Sequence, residues 1–124
     1  MMPRAGKARL SEADRSAIKE EMRALLRDLA RARQLITYSE LANQIQTAYL
    51  HPHSFVFTRL LREVCGEEER AGHGMLCALV VSKTTGIPSG GYFTGLAGPD
   101  RSPDDLEALW REDLERLFAY WSEH

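Results

Sequence analysis

Apolar residues recur at Ile18, Met22, Leu25, Leu26 and Leu29, three or four positions apart, while Arg23, Arg27, Arg31 and Arg33 fall mostly off that stripe. This is the spacing of one buried helical face. Ser11 with Asp14 three residues on has the form of a capping box, so the helix is expected to open there and to end near Gln34. Leu35 to Tyr38 then read as a short strand, and Ser39 as the N-cap of a second helix that carries Leu41, Ala42 and Ile45 and fades around Thr47. The segment 51–54, HPHS, reads as a loop, because Pro52 disfavours helical geometry in the residue before it.

A third helix is expected from about Ser54 to Cys65, with Leu60, Leu61 and Val64 inward. Gly66 interrupts the pattern, and Glu67 to Arg70 add at most one more turn. After Gly72 and Gly74, the continuous apolar run MLCALVV (75–81) reads as a buried strand. SKTTGIPSGG is a turn or loop and YFTGL a returning strand, which together make a hairpin with a long tip. Ser102 and Pro103 begin the last helix, Pro fitting its first turn. Leu106, Leu109, Trp110, Leu114, Leu117, Phe118 and Trp121 give that helix a wide apolar face. Helix, short strand, helix, helix, hairpin, helix is the order of an α+β winged-helix-like domain with an additional C-terminal helix. Residues 1–10 are expected to form a flexible basic N-terminus, and 11–124 a single domain.

The length of 124 residues fits one domain with one core. No apolar run approaches the roughly 18 residues of a membrane span, and the N-terminus lacks the apolar stretch of a secretory signal, so a cytoplasmic protein with no membrane partner is expected. Cys65 and Cys77 are spaced neither as a metal-ligand pair nor as a disulfide framework, and both are expected to be reduced. The net charge of −2 argues against a nucleic-acid partner, but its distribution changes the picture. Residues 1–34 hold nine Lys/Arg and five Asp/Glu (+4), residues 35–97 four and five (−1), and residues 98–124 three and eight (−5). A phosphate partner would have to approach the N-terminal and middle segments, unless both ends are simply solvated helical faces.

Four segments in order resemble one family. Thr37-Tyr38-Ser39-Glu40-Leu41-Ala42, then Thr58-Arg59-Leu60-Leu61, then Leu76-Cys77-Ala78-Leu79-Val80-Val81, and then Gly90-Gly91-Tyr92-Phe93-Thr94-Gly95-Leu96 are similar to the C-terminal domain of O6-alkylguanine-DNA alkyltransferases and alkyltransferase-like proteins. The resemblance covers residues 34 to 97, with an apparent insertion around 46 to 53. It implies that Tyr38 lies against a phosphate and helps rotate a nucleotide outward, and that Arg59, on a recognition helix, fills the vacated space. A base must leave the stack before its exocyclic atoms can be reached. Without the resemblance, Tyr38 is a strand aromatic packed on the core and Arg59 a solvated helix residue. The third helix becomes the recognition helix and the 82–91 loop the wing. The residues expected to face DNA are Tyr38, Ser39, Arg59, Arg62, Lys83 and Tyr92.

The same family uses the cysteine as alkyl acceptor, with the following histidine helping to form the thiolate. Here Ala78 and Leu79 follow Cys77 and Leu76 precedes it, so the group that activates the thiol is missing. The expectation is a non-catalytic DNA-binding protein that needs no cofactor or metal and binds weakly or by structure. Two alternatives come from other classes. One is a protein-interaction or dimerisation module, in which the oppositely charged terminal helices pair and Tyr120 and Trp121 form a surface. The other is an enzyme using Glu67 to Glu69 and His73, a cluster with His51 and His53 that combines carboxylate and imidazole.

Overall fold

The computed structural model describes residues 10–88 and 103–124, which form a mostly helical α+β domain. Helix α1 spans Glu12–Ala32, strand β1 Ile36–Thr37, helix α2 Tyr38–Gln44 and helix α3 Phe55–Arg70. A short 3₁₀ turn, Leu76–Leu79, leads into strand β2, Val80–Val81, and helix α4 spans Pro103–Trp121. The Ser11–Asp14 capping box opens α1 as its spacing predicts. One face of α1 (Ile18, Met22, Leu26, Ala30) is fully buried. Phe57, Leu60 and Val64 from α3, Leu76 and Leu79 from the 3₁₀ turn, and Leu117 from α4 complete the centre of the core. Fully burying side chains of this kind contributes about 1.5–3 kcal/mol each.

The strand at 35–38 is shorter than its composition suggests. Thr37, not Ser39, caps α2: its hydroxyl accepts from Glu40 N at 3.1 Å, and the Glu40 carboxylate accepts from Thr37 N at 3.0 Å. A reciprocal box of this kind satisfies two orphan amides at once, so the helix begins at Tyr38 and Ser39 sits inside its first turn. The short strand pairs with the end of the apolar run 75–81. β1 and β2 run parallel, with Ile36 opposite Val80 and Thr37 opposite Val81. The apolar run 75–81 is otherwise not a strand, since its first half winds into the 3₁₀ turn that fills the space between α1, α3 and α4. The returning strand YFTGL and Tyr92 lie outside the described residues, and so does the tip of the wing beyond residue 88.

Gly66 does not break α3. A mid-helix glycine costs about 1 kcal/mol relative to alanine, and the burial of Val64, Cys65 and Glu68 around it outweighs that. The helix stops at Gly72 instead. There φ is +85°, and His73 N donates to Glu68 O while Gly72 N donates to Glu69 O. This paired arrangement satisfies the last carbonyls of a helix, and glycine adopts it without strain. Gly74 shares the positive φ, at +93°, and also sits close to α4: a Cβ there would lie 2.9 Å from Leu117 Cδ1 and 3.7 Å from its Cα. The chain therefore runs hard against α4, where two indoles fasten it. Trp121 Nε1 donates to His73 O at 2.9 Å, and Trp110 Nε1 to Ala78 O at 2.8 Å.

The cysteines correct the expectation of free thiols. Cys65 and Cys77 form a disulfide, their Cα atoms 5.6 Å apart, which ties α3 to the 3₁₀ turn. A twelve-residue separation carries no framework signal, but the Gly72 turn folds the chain back and brings the two side chains together. A bridge closing a loop of this size contributes about 3 kcal/mol on a chain-entropy estimate. The intact mass without reductant is expected to be two hydrogens below the reduced mass, and Cys77→Ser is expected to unfold at lower urea. Equal masses with and without reductant would contradict the bridge.

Candidate nucleic-acid interface

Helix α3 separates its charges by face. On the edge toward α1, Glu68 is only 2% exposed, a placement that a solvated acidic run does not predict. Four bonds hold its carboxylate. Arg27 Nε and Nη2 donate to its two oxygens at 2.9 and 2.7 Å, Arg23 Nη1 donates at 2.9 Å, and His73 Nδ1 lies 3.1 Å away. An ionised carboxylate offers about four acceptor sites and no donor, so the set is complete and His73 carries its proton on Nδ1. Glu67 accepts from Lys19 Nζ at 2.6 Å and Arg23 Nη2 at 2.7 Å. Burial disfavours the charge on Glu68, but the hydrogen bonds from Arg27, Arg23 and His73 outweigh it and hold the carboxyl down at about 2. Arg27 and Arg31 also lie over the Trp121 ring, 5.5 and 4.8 Å from its centre, an arrangement favoured by the ring quadrupole.

Lys19, Arg23 and Arg27 of α1 are thus turned toward α3. A phosphate partner finds Lys19, Arg23 and Arg27 already neutralised. Arg31 pairs with Asp28, and Arg33 reaches Glu115 of α4 at 3.4 Å and lies over Phe118. The oppositely charged terminal helices therefore pair within the chain. Tyr120 and Trp121 belong to the same internal packing, with Trp121 buried and Tyr120 stacked between His73 and His124. Of the Glu67–Glu69 and His73 cluster, Glu67, Glu68 and His73 belong to the ion-pair network with α1, while Glu69 is exposed outside it. His51 and His53 sit apart from it, in the loop before α3, with their rings 5.7 Å from each other. Among the described residues, no group of three or more His, Cys, Asp or Glu side chains is placed to hold a metal ion.

The opposite face of α3 is open. Phe55, Thr58, Arg59, Arg62, Glu63, Gly66 and Arg70 line a groove of about 530 Å³. The spacing from 55 through 59, 62 and 66 to 70 is that of one helical face. Gly66 forms the floor, because without a side chain it leaves the space between Arg62 and Arg70 open. A Cβ there would meet only the Arg70 guanidinium, at 3.3 Å. Arg59 touches Glu63 at a long 3.5 Å, and Glu63 also reaches Lys19 at 3.3 Å. Arg62 and Arg70 have no acidic partner among the described residues.

Two groups of expected site residues emerge. Arg59 and Arg62 share the groove. Tyr38, Ser39 and Lys83 do not line it, and they cluster instead where the parallel strands end. Thr37 and Val81 are register partners, so the residues that follow, Tyr38 and Ser82, leave the ribbon at the same end, with Ser39 and Lys83 next. Ser39 and Lys83 are exposed, while Tyr38 is half-buried and packs against the core. Sequence reading missed Arg70, Gly66 and Phe55, treating Gly66 as a break. A periodicity count carried across Gly66 would have found all three. It also missed Glu21, whose carboxylate accepts from Gln46 N at 2.6 Å, Thr47 N at 3.1 Å and the Thr47 hydroxyl. That clamp fastens the α2–α3 link to α1. No family model, curated protein or solved structure matches the chain.

Because the Glu68 carboxyl is depressed from 4.5 to about 2, the ionised hub stabilises the fold fully above the unfolded carboxyl range. That contribution is lost progressively as pH falls from about 4.5 towards 2. Urea unfolding of Glu68→Gln is expected to show a weaker acid dependence than the native chain. Glu68→Ala, which leaves two guanidinium groups without their buried partner, is expected to cost roughly 3–5 kcal/mol. Identical acid profiles for the native chain and Glu68→Gln would rule out the hub.

Proposed function

We propose that this chain is a non-catalytic DNA-binding protein of winged-helix, alkyltransferase-like type, with α3 as its recognition helix. The observation that carries the reading is the sorting of cations. Lys19, Arg23 and Arg27 are neutralised within the fold, whereas Arg62 and Arg70, with Arg59 weakly held, face an open groove. Arginine is suited to phosphate because its planar fork donates two parallel hydrogen bonds. The half-buried Tyr38 at the strand-to-helix joint and the exposed Lys83 in the turn after β2 are in keeping with a winged-helix order whose α2–α3 link, residues 45–54, is longer than an ordinary helix-turn-helix turn.

The resemblance to alkyltransferases extends to position, not chemistry. Cys77 stands where the acceptor thiol would be, but its sulfur is bonded to Cys65 and no imidazole follows it. A nucleophile needs a thiolate, and neither condition for one is met. The reading as an interaction module loses half of its named surface, since Trp121 is buried while Tyr120 is half-buried beside it. No helix among the described residues is long and apolar enough to cross a membrane. A cytoplasmic place of action goes with a DNA partner; where its thiol pool opens the Cys65–Cys77 bridge, Cys77 still lacks the imidazole that would activate it.

Few phosphates are engaged by three or four cations, so affinity is expected to be modest, with a log–log salt slope of roughly −3. Fluorescence anisotropy with labelled duplex, mismatched and single-stranded DNA across a salt series measures this. Arg62→Ala and Arg70→Ala are each expected to make the slope shallower by about 1. Tyr38→Ala and Arg59→Ala are expected to weaken binding more than Arg4→Ala. Gly66→Leu should fill the groove and reduce affinity without lowering thermal stability, because it replaces a poor helix former. Absence of affinity for all three DNAs at low salt would sink the proposal.

A further inference from the structure

We infer that the α3 groove seats unpaired nucleotides, with Phe55 as the surface on which a base stacks. This rests on the DNA-binding reading above and deepens it. Phe55 is the first residue of α3 and is 76% exposed, at the lip of the groove, while its neighbour Phe57 is fully buried. Tyr49, in the link leading to it, is 65% exposed. Exposed aromatic rings beside a line of arginines are the two components of single-strand binding. The rings take base faces and the cations follow the backbone. From Arg59 to Arg70 the helix rises roughly 16 Å, enough for a short run of nucleotides.

The same features suit an intact duplex poorly. A duplex-reading helix reaches base edges with side chains from its N-terminal residues, and base edges are read through hydrogen bonds. Helix α3 begins Phe55-Val56-Phe57 and offers no side-chain donor or acceptor until Thr58. The Thr58 hydroxyl is itself turned back onto Ser54 O and Phe55 O. Helix-turn-helix units join their helices through three or four residues. Here residues 45–54 intervene, held to α1 by Glu21. Glu63 on the groove wall repels a phosphate but can accept a hydrogen bond from an exocyclic amino group, as carboxylates do from cytosine. An aromatic face, a carboxylate acceptor and flanking guanidinium groups fit a base with its phosphates better than they fit a phosphate backbone alone.

The test compares the full chain with Phe55→Ala and Phe55→Trp. Each is titrated against a single strand, the corresponding blunt duplex and a duplex with an internal unpaired loop, at one salt concentration and then across a series. The single strand and the looped duplex are expected to bind on the order of tenfold more tightly than the blunt duplex. Phe55→Ala should lose most of that preference, on the order of tenfold in single-strand affinity, with an unchanged salt slope. Phe55→Trp should restore it, and its indole emission should change on binding beyond any change in the native chain, whose Trp110 and Trp121 are buried. Blunt duplex binding as tightly as single strand, or a Phe55→Ala variant that keeps the preference, overturns the inference and leaves DNA binding standing. A Phe55→Ala variant that converts a dimer to a monomer at unchanged affinity also overturns it, by making Phe55 a self-association contact. Absence of binding to any of the DNAs removes both readings.

Discussion

Glu68 is a carboxylate in the interior, and an unpaired charge there would be prohibitive. Its ionised state survives because α1 supplies Arg23 and Arg27 and the Gly72 turn returns His73 to it. Those partners come from two separate segments, so the ion cluster sets how α1 lies along α3 and where the chain goes after α3. The Trp121 indole then closes the assembly by donating to His73 O while Arg27 and Arg31 lie over its ring. Buried ion pairs contribute less net stability than their geometry suggests, but removing one partner is strongly destabilising. The cluster therefore acts mainly as a constraint on arrangement.

That constraint also decides what the outer surface can do. With Lys19, Arg23 and Arg27 directed at Glu67 and Glu68, the net charge of −2 no longer describes the face a partner would meet. The outward side of α3 keeps Arg59, Arg62 and Arg70 around the bare floor at Gly66. One helix thus carries an anionic edge that joins it to the fold and an outward face with three arginines. The disulfide from Cys65 to the 3₁₀ turn reinforces the inner side of the same helix.

Much of the helical framework was legible in the sequence, because local rules settle it. The capping box at Ser11, the stripe from Ile18 to Leu29 and the apolar face of α4 are read from neighbours a few positions apart. The strand pair was visible as β-favouring runs. Its length was not, since Thr37 and Glu40 form a capping box that competes with the strand. The harder errors all involve distance along the chain. Nothing local to Glu67 and Glu68 shows that Arg23 and Arg27, more than forty residues earlier, will neutralise them. Nothing local to Cys65 shows that Gly72 will bring Cys77 back to it. The extra turn from Glu67 to Arg70 does form, but Gly66 does not interrupt the helix before it, because burial of Val64, Cys65 and Glu68 outweighs the glycine's low propensity.

The central claim is a division of arginines between those that hold the fold together and those that face a ligand. Side-chain NMR of the arginine Nε–H groups, recorded while a short DNA oligonucleotide is added, reads that division directly. The Arg59, Arg62 and Arg70 resonances are expected to shift with the oligonucleotide, while those of Arg23 and Arg27 are sharp and protected from the start and do not move. Shifts at Arg23 and Arg27 with none on α3 would contradict that division.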